Sequence, residues 1–397
     1  MKIDHRLTKL PPLKKKTIRK VNREWFFTGE NEEYWSNTFV SVTNDELDQL
    51  KATTESAVLL ALRAVTHVAQ HHRWSELGIP PHAIPLLEYS LQHERELHLV
   101  NRLDFAGGLE RVPLKLLEFN ADTCSLIPET ALLQNLHYRQ EQKQLSGEPY
   151  DGLFHALVQR FQEILNRKPD KIASLLIAAL GHDEDWANCE VIADAARQAG
   201  FVEVQLLTLE RVIFSREEGI FAQMGPDDFV QYDFFYKFFP WDWIAREEPE
   251  LLDDLTQIIT NDLATVLNPA YSMLLQSKGL LKIMHELEPR APYLLRAADD
   301  PSGFAQRKYV RKPYFGRMGE NIQYFDGAKY PLYQTKGDYG EDRMLCQELA
   351  YFNVDREDHR YQPSMFYTGT ASALCFRRQD DLIIDDDAEF VPNTVSG

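Results

Sequence analysis

From Leu97 onward the apolar residues stop recurring at helical spacing and fall two or four apart, and Gly107-Gly108 separates two such runs. Leu97, Leu99, Leu103 and Phe105 form the first run, and Leu114, Leu116 and Phe119 lie in the second. This period and this turn read as a β-hairpin. Residues two apart share a strand face, so Arg102 and Asp104 point one way on the first strand. Glu118, Asn120 and Asp122 do the same on the second, and Leu103, Leu117 and Phe119 take the opposite face. Pairing the strands gathers an arginine, carboxylates and an amide on one surface. Oxygen donors without imidazole or thiolate are the ligands a hard Mg²⁺ prefers, usually together with waters and phosphate oxygens. A solvated face with cross-strand charge pairs uses the same residues, and on these residues alone both readings stand. Thr123 and Ser125, just past the strand, add hydroxyls near that surface.

The segments around the hairpin set the fold class. Thr43-Asn44-Asp45-Glu46 has the form of a capping box, and Leu47, Leu50, Ala57, Val58, Ala61, Leu62, Val65 and Val68 follow at helical spacing, which predicts a long helix over 45–73. Residues 172–208 give an apolar strand, a helix over 185–199 stopped by Gly200, and a second strand, a βαβ unit. From Lys308 on, short β-like runs alternate with Gly and Pro turns. The expected fold is mixed α/β with a β-rich last third. No repeat or low-complexity linker divides the 397 residues.

Charge narrows the partners. The chain carries a formal charge of −18, yet residues 1–20 hold eight cations against Asp4 alone, so that stretch is +7 and the remainder −25. An acidic body repels nucleic acid and anionic lipid, and the basic start is expected to fold onto it as a solvated segment, residues 1–40 being set apart from a domain over 41–395. The four cysteines are widely spaced, with no C-x-x-C pair, which argues against a disulfide framework or a zinc ribbon. The start MKIDHRLTKLPPLKKK lacks a following apolar region, and no apolar run is longer than the six residues of Leu175–Leu180. A cytoplasmic protein without a membrane span is expected.

A second cluster is KPYFGRMGENI, 312–322. Lys312 ends a strand-like run, and Gly316 and Gly319 permit a loop, with Arg317 between them, whose amides can face an anion. Neither a G-x-x-x-x-G-K-[ST] loop nor a G-x-G-x-x-G turn is present, and His67 lacks the following Glu of a zinc-protease helix. No G-x-S-x-G elbow occurs.

Taken in order, NRLDF (101–105), LEFNADTCS (117–125), KFFPWDW (237–243), NPAYSMLLQSKGLL (268–281), KPYFGRMGENI, the QEL of 347–349 and the terminal TGTASALCFRRQDDLIIDDDAEFVPNTV (368–395) resemble the glutathionylspermidine synthase family. The resemblance spans about 100 to 395. It implies an ATP-grasp fold of that type, with an inserted βαβ substrate-side subdomain over about 170–270. By the same resemblance, Asp104, Glu118 and Asn120 look like Mg²⁺ ligands, and Arg102 like a cation facing the transferred phosphoryl and the acyl substrate. Lys278 and Lys312 resemble the two lysines that hold ATP phosphates, with Arg317 beside them. Gln347 and Glu348 lie where the adenine-side strand would run, Arg377 resembles the arginine facing the reacting centre, and Thr123 and Ser125 fall on the substrate side.

The implied activity is an ATP- and Mg²⁺-dependent acid–amine ligase that activates a carboxylate as an acyl phosphate and joins it to an amine, the pair being a peptide-like acid and a polyamine. Two alternatives are a nucleotide-binding scaffold that no longer ligates and a phosphotransferase on the same fold. Phe238 stands where the family's glutathione–spermidine enzyme has Thr, and it cannot hydrogen-bond a peptide, which counts against glutathione as the acid. A synthetase without a fused amidase domain is expected at this length.

Overall fold

The computed structural model describes residues 2–14, 34–304 and 307–396. Its centre is an antiparallel sheet in which the hairpin strands Asn101–Ala106 and Lys115–Asn120 continue through Arg360–Tyr367 and Ala371–Gln379 to Glu389–Val391. Gly107 and Gly108 turn the hairpin at φ +76° and +89°, a region open to glycine at little cost. Leu103, Phe105, Leu116 and Phe119 enter the main core from one face of the hairpin, and the opposite face carries the polar residues.

A long helix, Asn44–Gln70, backs this core with Leu50, Ala57, Ala61, Val65 and Val68 fully buried. Its start is the expected capping box: the Glu46 amide donates to Thr43 Oγ1 at 3.2 Å, and the Thr43 amide donates to Glu46 Oε2 at 2.9 Å.

The βαβ unit is Ser174–Ala179, the helix Asp183–Ala199 and Glu203–Thr208, with Gly200 ending the helix at φ +113°. It belongs to an all-parallel sheet in the order 265–267, 234–238, 174–179, 203–208. Parallel strands are buried on both faces, and here Leu176 and Ala178 enter the main core while Leu175, Ile177 and Ala179 enter a second one. A meander of three strands over 212–232 extends beyond this sheet.

The last third supplies a five-stranded antiparallel sheet in the order 297–298, 344–348, 309–313, 323–325, 333–334. It faces the hairpin across a cleft. The described part of the basic start folds onto acidic partners, Lys2 on Asp358 at 2.7 Å and Arg6 on Glu110 at 2.6 Å. Lys15, Lys16, Arg19 and Lys20 lie outside the described residues.

Among the described residues no helix is long and apolar enough to cross a membrane. Those residues hold four buried, unpaired cysteines.

Candidate active site

The hairpin register sets Arg102 opposite Asn120 and Asp104 opposite Glu118. Arg102 is almost fully buried and grips Asp104 with two hydrogen bonds, Nε to Oδ1 at 2.8 Å and Nη2 to Oδ2 at 3.0 Å. Its third nitrogen donates to the Ser125 carbonyl at 3.0 Å. Asn120 Nδ2 donates to Asp104 Oδ2 at 2.9 Å. Burial alone would raise the Asp104 pKa, but the adjoining Arg102 charge more than offsets it and holds the carboxyl below its ordinary value.

Two expectations for the hairpin are corrected. The register slips between Asp104 and Phe105, so that Phe105 pairs with Leu116 and Leu117 is left over. This bulge turns Leu117 away from the core and into the cleft, beside Glu118. The strand also ends at Asn120, and Asp122 points inward. There it accepts from Lys237 Nζ at 2.7 Å, from the Trp241 amide at 2.6 Å and from Ser272 Oγ at 3.3 Å. Alternation fails because Asp122 is no longer in the pleated ladder.

Across the cleft, Lys278 Nζ lies 3.2 Å from Glu118 Oε2 and donates to the Gly316 carbonyl at 2.6 Å. Lys312, on the strand Tyr309–Pro313, donates to the Leu117 carbonyl at 2.6 Å. Burial pulls its pKa down to about 8, with Glu118 opposing the shift and Lys278 adding to it.

Two amides of the glycine loop bond within it and are not left for an anion. The Gly316 amide bonds the Pro313 carbonyl and the Glu320 amide bonds the Arg317 carbonyl, because the loop folds back in tight turns. Arg317 binds Asp242 through both terminal nitrogens and stacks on Trp243 at 5.5 Å. Its charge is therefore largely committed within the protein.

These residues line two adjoining cavities. The first, about 760 Å³ and partly open to solvent, has Lys278, Lys312, Gln347 and Glu348 in its wall with apolar Val310, Leu349, Ala350, Phe352 and Ile383. The second, about 1900 Å³, is lined by Arg102, Asp104, Asn120, Thr123, Ser125 and Arg377. Glu118, Arg317, Gly319, Gln362 and Ile384 border both. Arg377 donates to the Asp385 carbonyl, and its buried Nε has no hydrogen-bond partner.

The residues the sequence reading missed are chiefly polar groups inside apolar runs, and that is the signal that marks them. Asn268 accepts from the Leu99 amide at 2.8 Å and donates to the Val100 and Asp122 carbonyls at 2.9 and 2.8 Å. Gln276 accepts from the Ala121 amide at 2.9 Å. Together they pin both ends of the hairpin to 268–281. Glu129 in LIPETALL and Asp242 in PWDWIA carry the same signal. Glu184, Asp185 and Asp386 add an acidic wall to the second cavity.

Comparison with known proteins decides the family: the model described as glutathionylspermidine synthase preATP-grasp matches residues 5–396. The chain belongs to the glutathionylspermidine synthase family. A Haemophilus influenzae protein named "Putative acid--amine ligase" is 24% identical, over 92% of each chain. The bifunctional glutathionylspermidine synthetase/amidase of Escherichia coli is 22% identical over 89% of this chain, which spans 58% of that relative's length. A glutathione synthetase-like effector of Globodera pallida, in its apo form, shares the fold at 10% identity, TM-score 0.54, covering 91% of this chain and 90% of that one. The mixed α/β architecture is thus of ATP-grasp type.

Proposed function

We propose that this family member is an ATP-dependent acid–amine ligase whose reaction runs where the two cavities meet. The observation that carries the reading is this junction: Lys278 and Lys312 on the nucleotide side, Arg102 and Arg377 on the other, and Glu118 bordering both. The apolar wall suits a nucleobase, and the two lysines suit its phosphates. Lys312 is buried with a lowered pKa, so an anion beside it restores the stability of its charge.

Mg²⁺ fits the donor set. Among the described residues no three His, Cys, Asp or Glu side chains gather as a protein-only metal cage. Mg²⁺, however, binds through one or two carboxylates plus phosphate oxygens, and Asp104, Glu118 and Asn120 offer two carboxylates and an amide oxygen. When bound, the ion would neutralise phosphate charge at the transferring group.

The protein's own groups then account for the rest. Arg102 and Arg377 orient the substrate carboxylate, one oxygen of which attacks the terminal phosphorus, giving an acyl phosphate and ADP. Fixed positive charge serves phosphoryl transfer because little covalent help is needed. The amine attacks the acyl carbon, either arginine stabilises the oxyanion, and phosphate leaves as the amide forms. Both signs are present for the two substrates, arginines for the acid and Glu184, Asp185 and Asp386 for a cationic amine. A peptide-like acid and a polyamine are the proposed classes.

The test is ADP release with ATP, Mg²⁺ and an array of carboxylic acids and amines. ADP release that requires both an acid and an amine is expected. A stable phosphorylated product would favour a phosphotransferase, and no amine-dependent turnover across the array would leave a nucleotide-binding scaffold.

A further inference from the structure

We infer that Glu129, acting through the hydroxyl of Tyr34, takes up the proton that the attacking amine must lose. The inference rests on the ligase reading and adds a positioning residue and a proton path to it.

Alkylamines are ammonium ions at neutral pH, as the ordinary lysine pKa of about 10.4 illustrates, and an ammonium has no lone pair with which to attack. A site that joins such an amine to an acyl group needs a proton acceptor on the amine side. Tyr34 lines the second cavity together with Arg102, Arg377, Glu184 and Asp386. Its hydroxyl donates to Glu129 Oε1 at 2.6 Å. Glu129 is 1% exposed, and its second oxygen, Oε2, is buried with no hydrogen-bond partner. A carboxylate in that state holds unused acceptor capacity.

The local backbone supports a functional placement. Glu129 opens a π-helical turn, Glu129–Leu133, a distortion found often at functional sites. Around the carboxyl stand Tyr34, Glu184, Arg102 and the Cys375 thiol. Burial lifts its pKa to about 7; Tyr34 opposes that rise, Glu184 adds to it and Arg102 opposes it. A general base works best with its pKa near the working pH. Tyr34 is held far from ionising, by burial first and by Glu129 and Glu184 next, so it passes a proton without persisting as phenolate.

The transfer balances. The ammonium N–H proton goes to the Tyr34 oxygen as the Tyr34 proton goes to Glu129 Oε1. The freed lone pair forms the C–N bond, and as the C–O bond to phosphate breaks the departing phosphate takes the second proton that the nitrogen must lose to become a neutral amide.

Glu129→Gln keeps the size and removes the acceptor; Tyr34→Phe removes only the relay hydroxyl and serves if the first variant folds poorly. Each is assayed with the acids and alkylamines of the array and, separately, with hydroxylamine, which is largely unprotonated at neutral pH and traps acyl phosphates as hydroxamates. With an alkylamine, kcat is expected to fall roughly 10²–10⁴-fold, the range of general-base contributions. Hydroxamate formation is expected to fall far less. The rising limb of the unaltered protein's pH profile near 7 should vanish in Glu129→Gln. An unchanged alkylamine rate and pH profile in both variants overturns the relay, as does equal loss with alkylamine and hydroxylamine. Absence of ADP release by the unaltered protein with every pair sinks the ligase reading itself, and the relay falls with it.

Discussion

At the scale of single residues, the site is built from groups that already hold one another. Asp104 is gripped by Arg102 and by Asn120, and Glu118 is paired with Lys278, so a ligand would meet preorganised charge rather than loose side chains. Glu118 and Asn120 are only partly buried and lie off the apolar core. Glu118→Ala and Asn120→Ala are therefore expected to abolish ATP turnover while thermal melting shifts by only a few degrees; normal turnover in either would remove it from the metal set. Arg377→Ala should lower kcat more than it weakens ADP binding, because a group acting on transition-state charge affects rate first. Strand alternation made Arg102, Asp104, Glu118 and Asn120 legible as one polar face, whereas Lys278 and Arg377 were reached through the family resemblance alone. Asp122 was not, since its partner Lys237 is distant in sequence and the strand ends two residues before it. Glu129 and Tyr34 stayed hidden for a similar reason: only the folded chain brings them to one hydrogen bond.

At the scale of elements, long periodic segments were readable and short ones were not. The capped helix, the hairpin and the βαβ unit announce themselves through spacing and turns, which are local. The bulge at Leu117 and the tight turns of the glycine loop depend on what packs against them, and no local pattern encodes that. The link between elements is also nonlocal. The buried Lys237–Asp122 pair ties the parallel sheet to the end of the hairpin, with the ammonium also 4.6 Å from the Trp241 ring. Removing one partner of such a pair strands a buried charge, at a cost of about 3–5 kcal/mol. Asp122→Ala is expected to lose about that much in urea unfolding, and Asp122→Asn combined with Lys237→Met to recover part of it. A loss within a few tenths of a kcal/mol for Asp122→Ala would mean that the pair does not join the two sheets.

At the scale of the whole molecule, the net charge of −18 conceals a local reversal. Lys278, Lys312, Arg102 and Arg377 collect at one junction inside an acidic protein, and an acidic wall faces them across the larger cavity. Such a field separates two substrates of opposite charge and brings their reacting ends together. The overall fold class and the order of motifs could be read along the chain, but the meeting of two cavities could not, because it joins the hairpin, the parallel sheet and the last third. The central claim is that a carboxylate is activated by phosphorylation at this junction before the amine attacks. The most direct measurement uses an acid labelled with ¹⁸O in its carboxylate, with ATP, Mg²⁺ and the amine that supports turnover, followed by mass analysis of the released phosphate. One ¹⁸O per phosphate is the expected result, since the acyl oxygen leaves with the phosphoryl group. Turnover to amide with unlabelled phosphate would contradict the acyl phosphate and the account built on it.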